Sequence, residues 1–252
     1  MYLYLKSEII KTKRTNIRKM MLIIPLICSL LALAFTFLGG PEIIRLSAET
    51  IINHWAILWL PALIALTAGL LNNLEGKSTS FKTIIGLPIN LQKKEMSRIV
   101  FVTGFMAIGS LLLIVVISLV SLLIQTSPYL VSLSSCIMAV ILMFVTSLWQ
   151  VPFCLWLSRK TNFFITVLLN SMLNLSLGTF FAPTEDWWFI PYSWHLRVQM
   201  PLTKLHSNGI PLPANDELLS GSVIPIALVL SILFFLVLTL LTVKSFNKLE
   251  VK

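Results

Sequence analysis

Residues 93–124 read KKEMSRIVFVTGFMAIGSLLLIVVISLVSLLI, a sharp passage from a charged cluster into a run without one charge. As a helix rising about 1.5 Å per residue, 99–124 would reach roughly 39 Å, more than a hydrocarbon core of about 30 Å. Five further runs have the same character: 20–38, 55–71, 130–157, 163–181 and 223–243. None of the six holds a Lys, Arg, Asp or Glu. The chain therefore reads as an all-α membrane protein with six transmembrane helices.

The segments between the runs set the orientation. If odd-numbered spans run outward, the N-terminus (Lys6, Lys11, Lys13, Arg14, Arg18, Lys19) shares a side with Lys77, Lys82, Lys93, Lys94 and Arg98. Arg159, Lys160, Lys244, Lys248 and Lys252 fall on that side too. Only Arg45, Arg197 and Lys204 face the other. An excess of cations in short loops marks the cytoplasmic side, so both termini are expected there. Most acids fall opposite: Glu42, Glu49, Glu185, Asp186, Asp216 and Glu217 lie outside, against Glu8, Glu75, Glu95 and Glu250 inside. The net charge of +9 is thus accounted for by topology. The cations track span ends and form no groove-shaped face, which argues against nucleic acid as a partner. Anionic lipid is the expected partner of the inner clusters.

With 57% hydrophobic and 12% charged residues, little polar sequence is left for a separate soluble domain, and 1–252 reads as one transmembrane domain. Cys28, Cys136 and Cys154 sit at different depths and suit small buried hydrophobes better than a disulfide framework or a metal site. The basic start, the apolar run and Ala32-Leu33-Ala34 imitate a secretory signal, but the run continues through Phe35, Phe37 and Leu38. An uncleaved first helix is expected.

Residues 1–19 can form an amphipathic helix, with Leu5, Ile9 and Ile10 on one face and Lys6, Lys11, Lys13 and Arg14 around it. It would lie in the inner interface; the alternative is a frayed basic flank. The longest inner segment, 72–98, carries Phe81, Ile84, Ile85, Leu87 and Leu91 among its charges, more apolar residues than a plain connection needs. A short helix docking on a cytoplasmic partner fits it, as does one resting on lipid. Gly76-Lys77-Ser78 ends like a phosphate-binding loop. Leu71 stands where the earlier glycine belongs, and a span precedes it rather than a strand, so no phosphate cradle forms.

Outside, 39–54 reads as a short surface helix, with Ile43, Ile44, Ile51 and Ile52 beside Glu42 and Glu49. The segment 182–221 gathers Trp187, Trp188, Phe189, Tyr192 and Trp194, followed by Arg197. Two compatible readings stand: an aromatic anchor at the outer leaflet, or a surface meeting an amphipathic ligand. The spans lack the midplane charges of ion-coupled carriers, offering only hydroxyls and amides such as Gln150, Asn170, Ser171 and Asn174. His54, His195 and His206 fall in outer segments without partners at helical spacing. No catalytic, cofactor or metal site is expected.

Three stretches carry a family resemblance. One is Leu5-Lys6-Ser7-Glu8 through Lys11-Thr12-Lys13-Arg14. Another is Trp55 through Trp59-Leu60-Pro61, followed by Gly86-Leu87-Pro88-Ile89-Asn90-Leu91-Gln92-Lys93. The last is Trp187-Trp188, Ile190-Pro191-Tyr192-Ser193-Trp194 and Arg197, ending near Pro201, His206, Asn208-Gly209 and Pro211-Leu212. In this order they resemble ABC-2-type exporter permeases, and more specifically the permease subunits of lantibiotic-immunity ABC transporters.

The resemblance implies a non-catalytic permease in a bacterial cytoplasmic membrane. A second related permease subunit and a pair of ATPase subunits that bind the ATP would be its partners, and a cationic amphipathic peptide its cargo. It would give a producer self-immunity or resistance. Phe81, Ile84, Ile85 and Lys93 are the candidate ATPase-coupling residues. Trp187, Trp188, Tyr192, Trp194 and Arg197 are the candidate peptide contacts. The alternatives are an ABC-2 permease for a lipid, polymer or other drug, and a membrane peptide-binding immunity protein that does not transport.

Overall fold

The computed structural model describes residues 1–79, 89–124 and 131–247. Among them the chain is helical, with one isolated bridge between Leu205 and Pro211. Five helices are long and apolar enough to cross a membrane, and a bent pair makes a sixth.

The first helix, α1 (Tyr2–Lys11), ends at Thr12, whose Oγ1 donates to the Glu8 carbonyl at 2.9 Å. The first span, α2 (Asn16–Leu38), contains Pro25. Its helix stops at Gly39, and Gly40 takes φ +89°, a left-handed conformation open to glycine, to launch α3 (Pro41–Ile44).

The second span starts earlier than its apolar run. Helix α4 (Ser47–His54) passes through a π-helical turn, Trp55–Trp59, into α5 (Leu60–Thr79). The expected surface helix at 39–54 is thus in part the opening of this span. Nothing at His54-Trp55 breaks a helix, and Ile51 and Ile52 are fully buried among the spans.

The third span, α6 (Leu91–Leu123), also starts earlier, at an Asn90 cap whose Oδ1 accepts from the Lys93 amide at 2.9 Å. Its 33 residues reach about 50 Å, so the charged turns at 91–98 extend the span's own helix. The fourth run bends by 44° between α7 (Leu133–Thr146) and α8 (Gln150–Lys160). Pro152 has no amide to give the Leu148 carbonyl, which accepts instead from Val151 at 3.0 Å in a tighter turn. The fifth span comprises α9 (Phe163–Leu173), a second π turn Asn174–Gly178, and α10 (Thr179–Phe181). After α11 (Trp194–Thr203), the last span is α12 (Val223–Asn247).

Contacts sort the ends into two poles. At one, α1, the end of α5, the start of α6 and the end of α8 meet in ion pairs, and Phe246 at the end of α12 packs its ring against two of the arginines. At the other, 182–221 folds back over the end of α4, at Asn53, and onto α7, and α11 is buried over nearly its whole length.

Candidate functional site

At the second pole a 3₁₀ turn, Glu185–Phe189, projects from α10. Trp187 lies on its inner side, while Glu185, Asp186, Trp188 and Phe189 face outward. The Trp188 and Phe189 rings stack with centroids 3.5 Å apart, and they are 46% and 62% exposed. A packed base holds this tip. Ser193 Oγ donates to the Trp187 carbonyl, and Trp194 Nε1 donates to the Trp188 carbonyl at 3.0 Å. Trp149 meets Tyr192 edge-on at 4.8 Å and Trp194 at 6.4 Å.

Of the five residues expected here, only Trp188 offers an open face. Trp187, Tyr192 and Trp194 are buried in packing, and Arg197, 6% exposed, donates from Nη1 to the Leu218 carbonyl at 2.9 Å. Burial draws the Arg197 guanidinium below its ordinary value, partly offset by Asp216. Phe189, Glu185 and Asp186 complete the exposed tip. The sequence placed all of them in the segment, but its spacing does not say which side faces inward.

Beneath the tip lies a polar belt built on a proline. Pro61 has no amide for the Ile57 carbonyl four residues back, nor for Ala56 in the five-residue register of the π turn. Asn174 Nδ2 supplies the donor instead, 2.6 Å from the Ile57 oxygen and 3.2 Å from that of Ala56. His195 Nε2 stands 3.0 Å from the Ala56 oxygen. Since a carbonyl only accepts, Nε2 carries the proton. Asn170 Nδ2 donates to the Pro61 carbonyl and to Gln150 Oε1, both at 3.0 Å, and Tyr192 donates to Asn170 Oδ1 at 3.1 Å. Gln199 reaches Asn53 at 2.7 Å. These groups satisfy a broken helix in an apolar setting, where an unpaired carbonyl costs several kcal/mol.

At the first pole, seven charged residues interlock. Glu8 pairs with Lys94 and Lys11, and Glu75 with Lys11, Lys94 and Arg98. Glu95 accepts from Arg98 at 3.1 Å and from Arg159. Arg98 also reaches Asn72 Oδ1, while Asn72 Nδ2 donates to the Leu155 carbonyl at 2.8 Å and to Ser158. Burial pulls the Lys11 ammonium down, but Glu75 and Glu8 outweigh it and hold it above the ordinary lysine value. Sequence reasoning counted these cations as topology markers and missed the cluster. The signal was present: three inner acids beside span ends, with Glu95 and Arg98 three apart on one helix.

Lys93, the neighbouring residue, is exposed. Phe81, Ile84 and Ile85 lie outside the described residues. Among the described residues no group of His, Cys, Asp or Glu could hold a metal ion.

The family model described as ABC-2 family transporter protein matches residues 4–176. That stretch takes in nearly all of α1, four whole spans, most of the fifth and all seven charged residues of the ionic cluster. The chain belongs to the ABC-2 transporter family. It is a multi-pass membrane permease of an ABC exporter, a transmembrane component without chemistry of its own, and it works with ABC ATPase subunits. No characterised protein and no solved structure matches the chain at a comparable level. In this permease the ionic cluster ties α1 to three later helices, α5, α6 and α8, and the aromatic tip stands at the opposite pole.

Proposed function

We propose that this permease expels a lantibiotic or similar cationic antimicrobial peptide from the bacterial cytoplasmic membrane, giving self-immunity or resistance. A second, related permease subunit completes the pathway, and ATP is bound by the partner ATPases. Both termini lie in the cytoplasm, on the cation count, which places the tip outside.

The observation that carries the reading is the tip itself, with Glu185 and Asp186 exposed beside the stacked Trp188 and Phe189. A cationic amphipathic peptide lies in the outer half of the bilayer, apolar side down and lysines toward water. Two carboxylates next to two aromatic faces match that pattern of charge and apolar surface. A lysine over an aromatic face contributes about 0.5–2 kcal/mol. Extraction costs work, which hydrolysis in the ATPases supplies. At the cytoplasmic pole the segment 80–94, with Phe81, Ile84, Ile85 and Lys93, docks on the ATPase, and α1 lies in the inner interface.

The test is survival of cells expressing the permease with its ATPase, challenged with a lantibiotic at matched membrane abundance. Glu185→Gln with Asp186→Asn should lower the tolerated peptide concentration a few-fold. Protection unchanged in that variant would remove the peptide reading.

A further inference from the structure

Between α1 and the spans behind it runs an open trough of about 430 Å³. Leu5 and Ile9 of α1 form one wall, and Phe101 and Phe105 of α6 form the other, their rings 4.5 Å apart. Gly104 leaves the middle open, with no atom within 4 Å of the place its Cβ would take. The single charge on the lining is Arg18, and no carboxylate accompanies it. Arg18 Nη2 donates to the Ile9 carbonyl at 2.6 Å, which fixes the guanidinium and leaves other donors of its fork for a ligand. Exposed Lys6 on α1, Arg14 in the turn after it and Lys19 on α2 add positive charge nearby.

We propose that this trough is a binding site for one anionic phospholipid, with an acyl chain along Phe101, Gly104 and Phe105 and the phosphate on Arg18. The walls decide against a peptide, whose backbone amides would find almost no partners there. An acyl chain has none to satisfy. Free phosphate would gain nothing from the apolar walls, whereas a lipid uses both the walls and the fork. The lipid fills the space between α1 and α6 and so helps seat the N-terminal helix. This inference is independent of the cargo, since it needs only a chain inserted in a bilayer.

The experiment uses the full chain, purified in detergent and stripped of lipid. Its thermal midpoint and its lipid adducts in native mass spectrometry are followed with phosphatidylglycerol, phosphatidylcholine or inorganic phosphate. Phosphatidylglycerol should bind several-fold more tightly than phosphatidylcholine and raise the midpoint, and phosphate should do neither. Arg18→Gln should bring phosphatidylglycerol to the phosphatidylcholine level, and Arg18→Lys should keep most of the preference. Gly104→Leu, which fills the trough without moving a charge, should weaken both lipids. Equal binding of the two lipids by the unaltered chain, a preference that survives Arg18→Gln, or a response to phosphate alone would each overturn the site. So would unchanged lipid binding in Gly104→Leu, which keeps the question decidable if Arg18→Gln does not fold.

Discussion

Arg98 and Arg159, on α6 and α8, donate to opposite oxygens of the same Glu95 carboxylate. Both also lie against the Phe246 ring of α12, at 5.5 and 5.0 Å from its centroid. Three helices are thereby fastened at one buried point. A buried ion cluster adds little net stability, because desolvation offsets most of the attraction, but removing one member strands the others.

Glu95→Gln should therefore destabilise the chain by about 3–5 kcal/mol, the cost of breaking a buried pair. Thermal unfolding in detergent and membrane abundance measure it. Glu217→Gln, at the exposed opposite pole, should stay within about 0.5 kcal/mol of the parent. Equal midpoints for the two variants would mean that the cluster fastens nothing.

His195 gives a pH dependence. Full burial pulls its imidazole down to about 4 from an ordinary 6.5, although the Ala56 bond works the other way. Between those values the unfolded chain binds a proton that the folded chain refuses, so stability rises with pH across the window. The contribution is complete above pH 6.5 and is lost progressively as pH falls toward 4, amounting to roughly 3 kcal/mol. His195→Gln keeps a donor for the Ala56 carbonyl and cannot titrate. The difference in thermal midpoint between the two proteins should therefore change between pH 7 and pH 4.5, and parallel curves would contradict the assignment.

The same carbonyls predict a coupling between Pro61 and Asn174. Asn174→Val strands the Ile57 oxygen and leaves that of Ala56 to His195 alone, whereas Pro61→Ala restores an amide that can serve Ile57. The cost of Asn174→Val should be smaller in the Pro61→Ala background. Polar couplings inside membrane proteins average about 0.6 kcal/mol and reach about 1.7. A double-mutant cycle on unfolding midpoints reads the difference, and strict additivity would show that the two residues act separately.

Hydropathy is one-dimensional, and what depends on it was legible: the apolar runs, their order and the lack of charge within them. What depends on partners was not. The turns at 91–98 read as a loop because Lys94, Glu95 and Arg98 look costly in a span's helix. They become tolerable only when α1, α5 and α8 bring Glu8, Glu75 and Arg159 to them. The 182–221 aromatics stand out in sequence as a group, yet a Trp suits a lipid interface and a protein core equally well. Only the packing of Trp149 against Tyr192 and Trp194 separates the inner rings from Trp188 and Phe189. The π turn at Trp55–Trp59 had a visible cause in Pro61, but its answering donors lie more than a hundred residues away.

Orientation is tested by single cysteines at exposed positions, after replacing Cys28, Cys136 and Cys154. An impermeant thiol reagent added to intact cells should label Asn208→Cys and spare Lys93→Cys and Lys160→Cys, all three being exposed in the fold. Permeabilised cells should label all three. Labelling of Lys93→Cys from outside would invert the assignment and move the aromatic tip to the cytoplasm.

Adjacent tryptophans in the tip separate support from recognition. Trp187 is 7% exposed and its carbonyl accepts from Ser193, so Trp187→Ala removes packing from the base of the tip. Truncating a buried aromatic typically costs about 3–5 kcal/mol, and less abundant permease should be the main result. Trp188 is 46% exposed and stacks only on Phe189 among the described rings. Trp188→Ala should leave abundance near the parent level, because little packing is lost. If the tip meets peptide, the variant forfeits contact area and a cation–π partner, about 0.5–2 kcal/mol. Protection per permease molecule should then fall between a few-fold and tens-fold, since about 1.4 kcal/mol is a factor of ten. An anchor predicts the reverse signature, with abundance falling in both variants and protection per molecule constant. Quantifying membrane abundance beside survival in the same cultures decides between them, and a Trp188→Ala/Phe189→Ala double variant with unaltered protection per molecule leaves the tip a purely structural element.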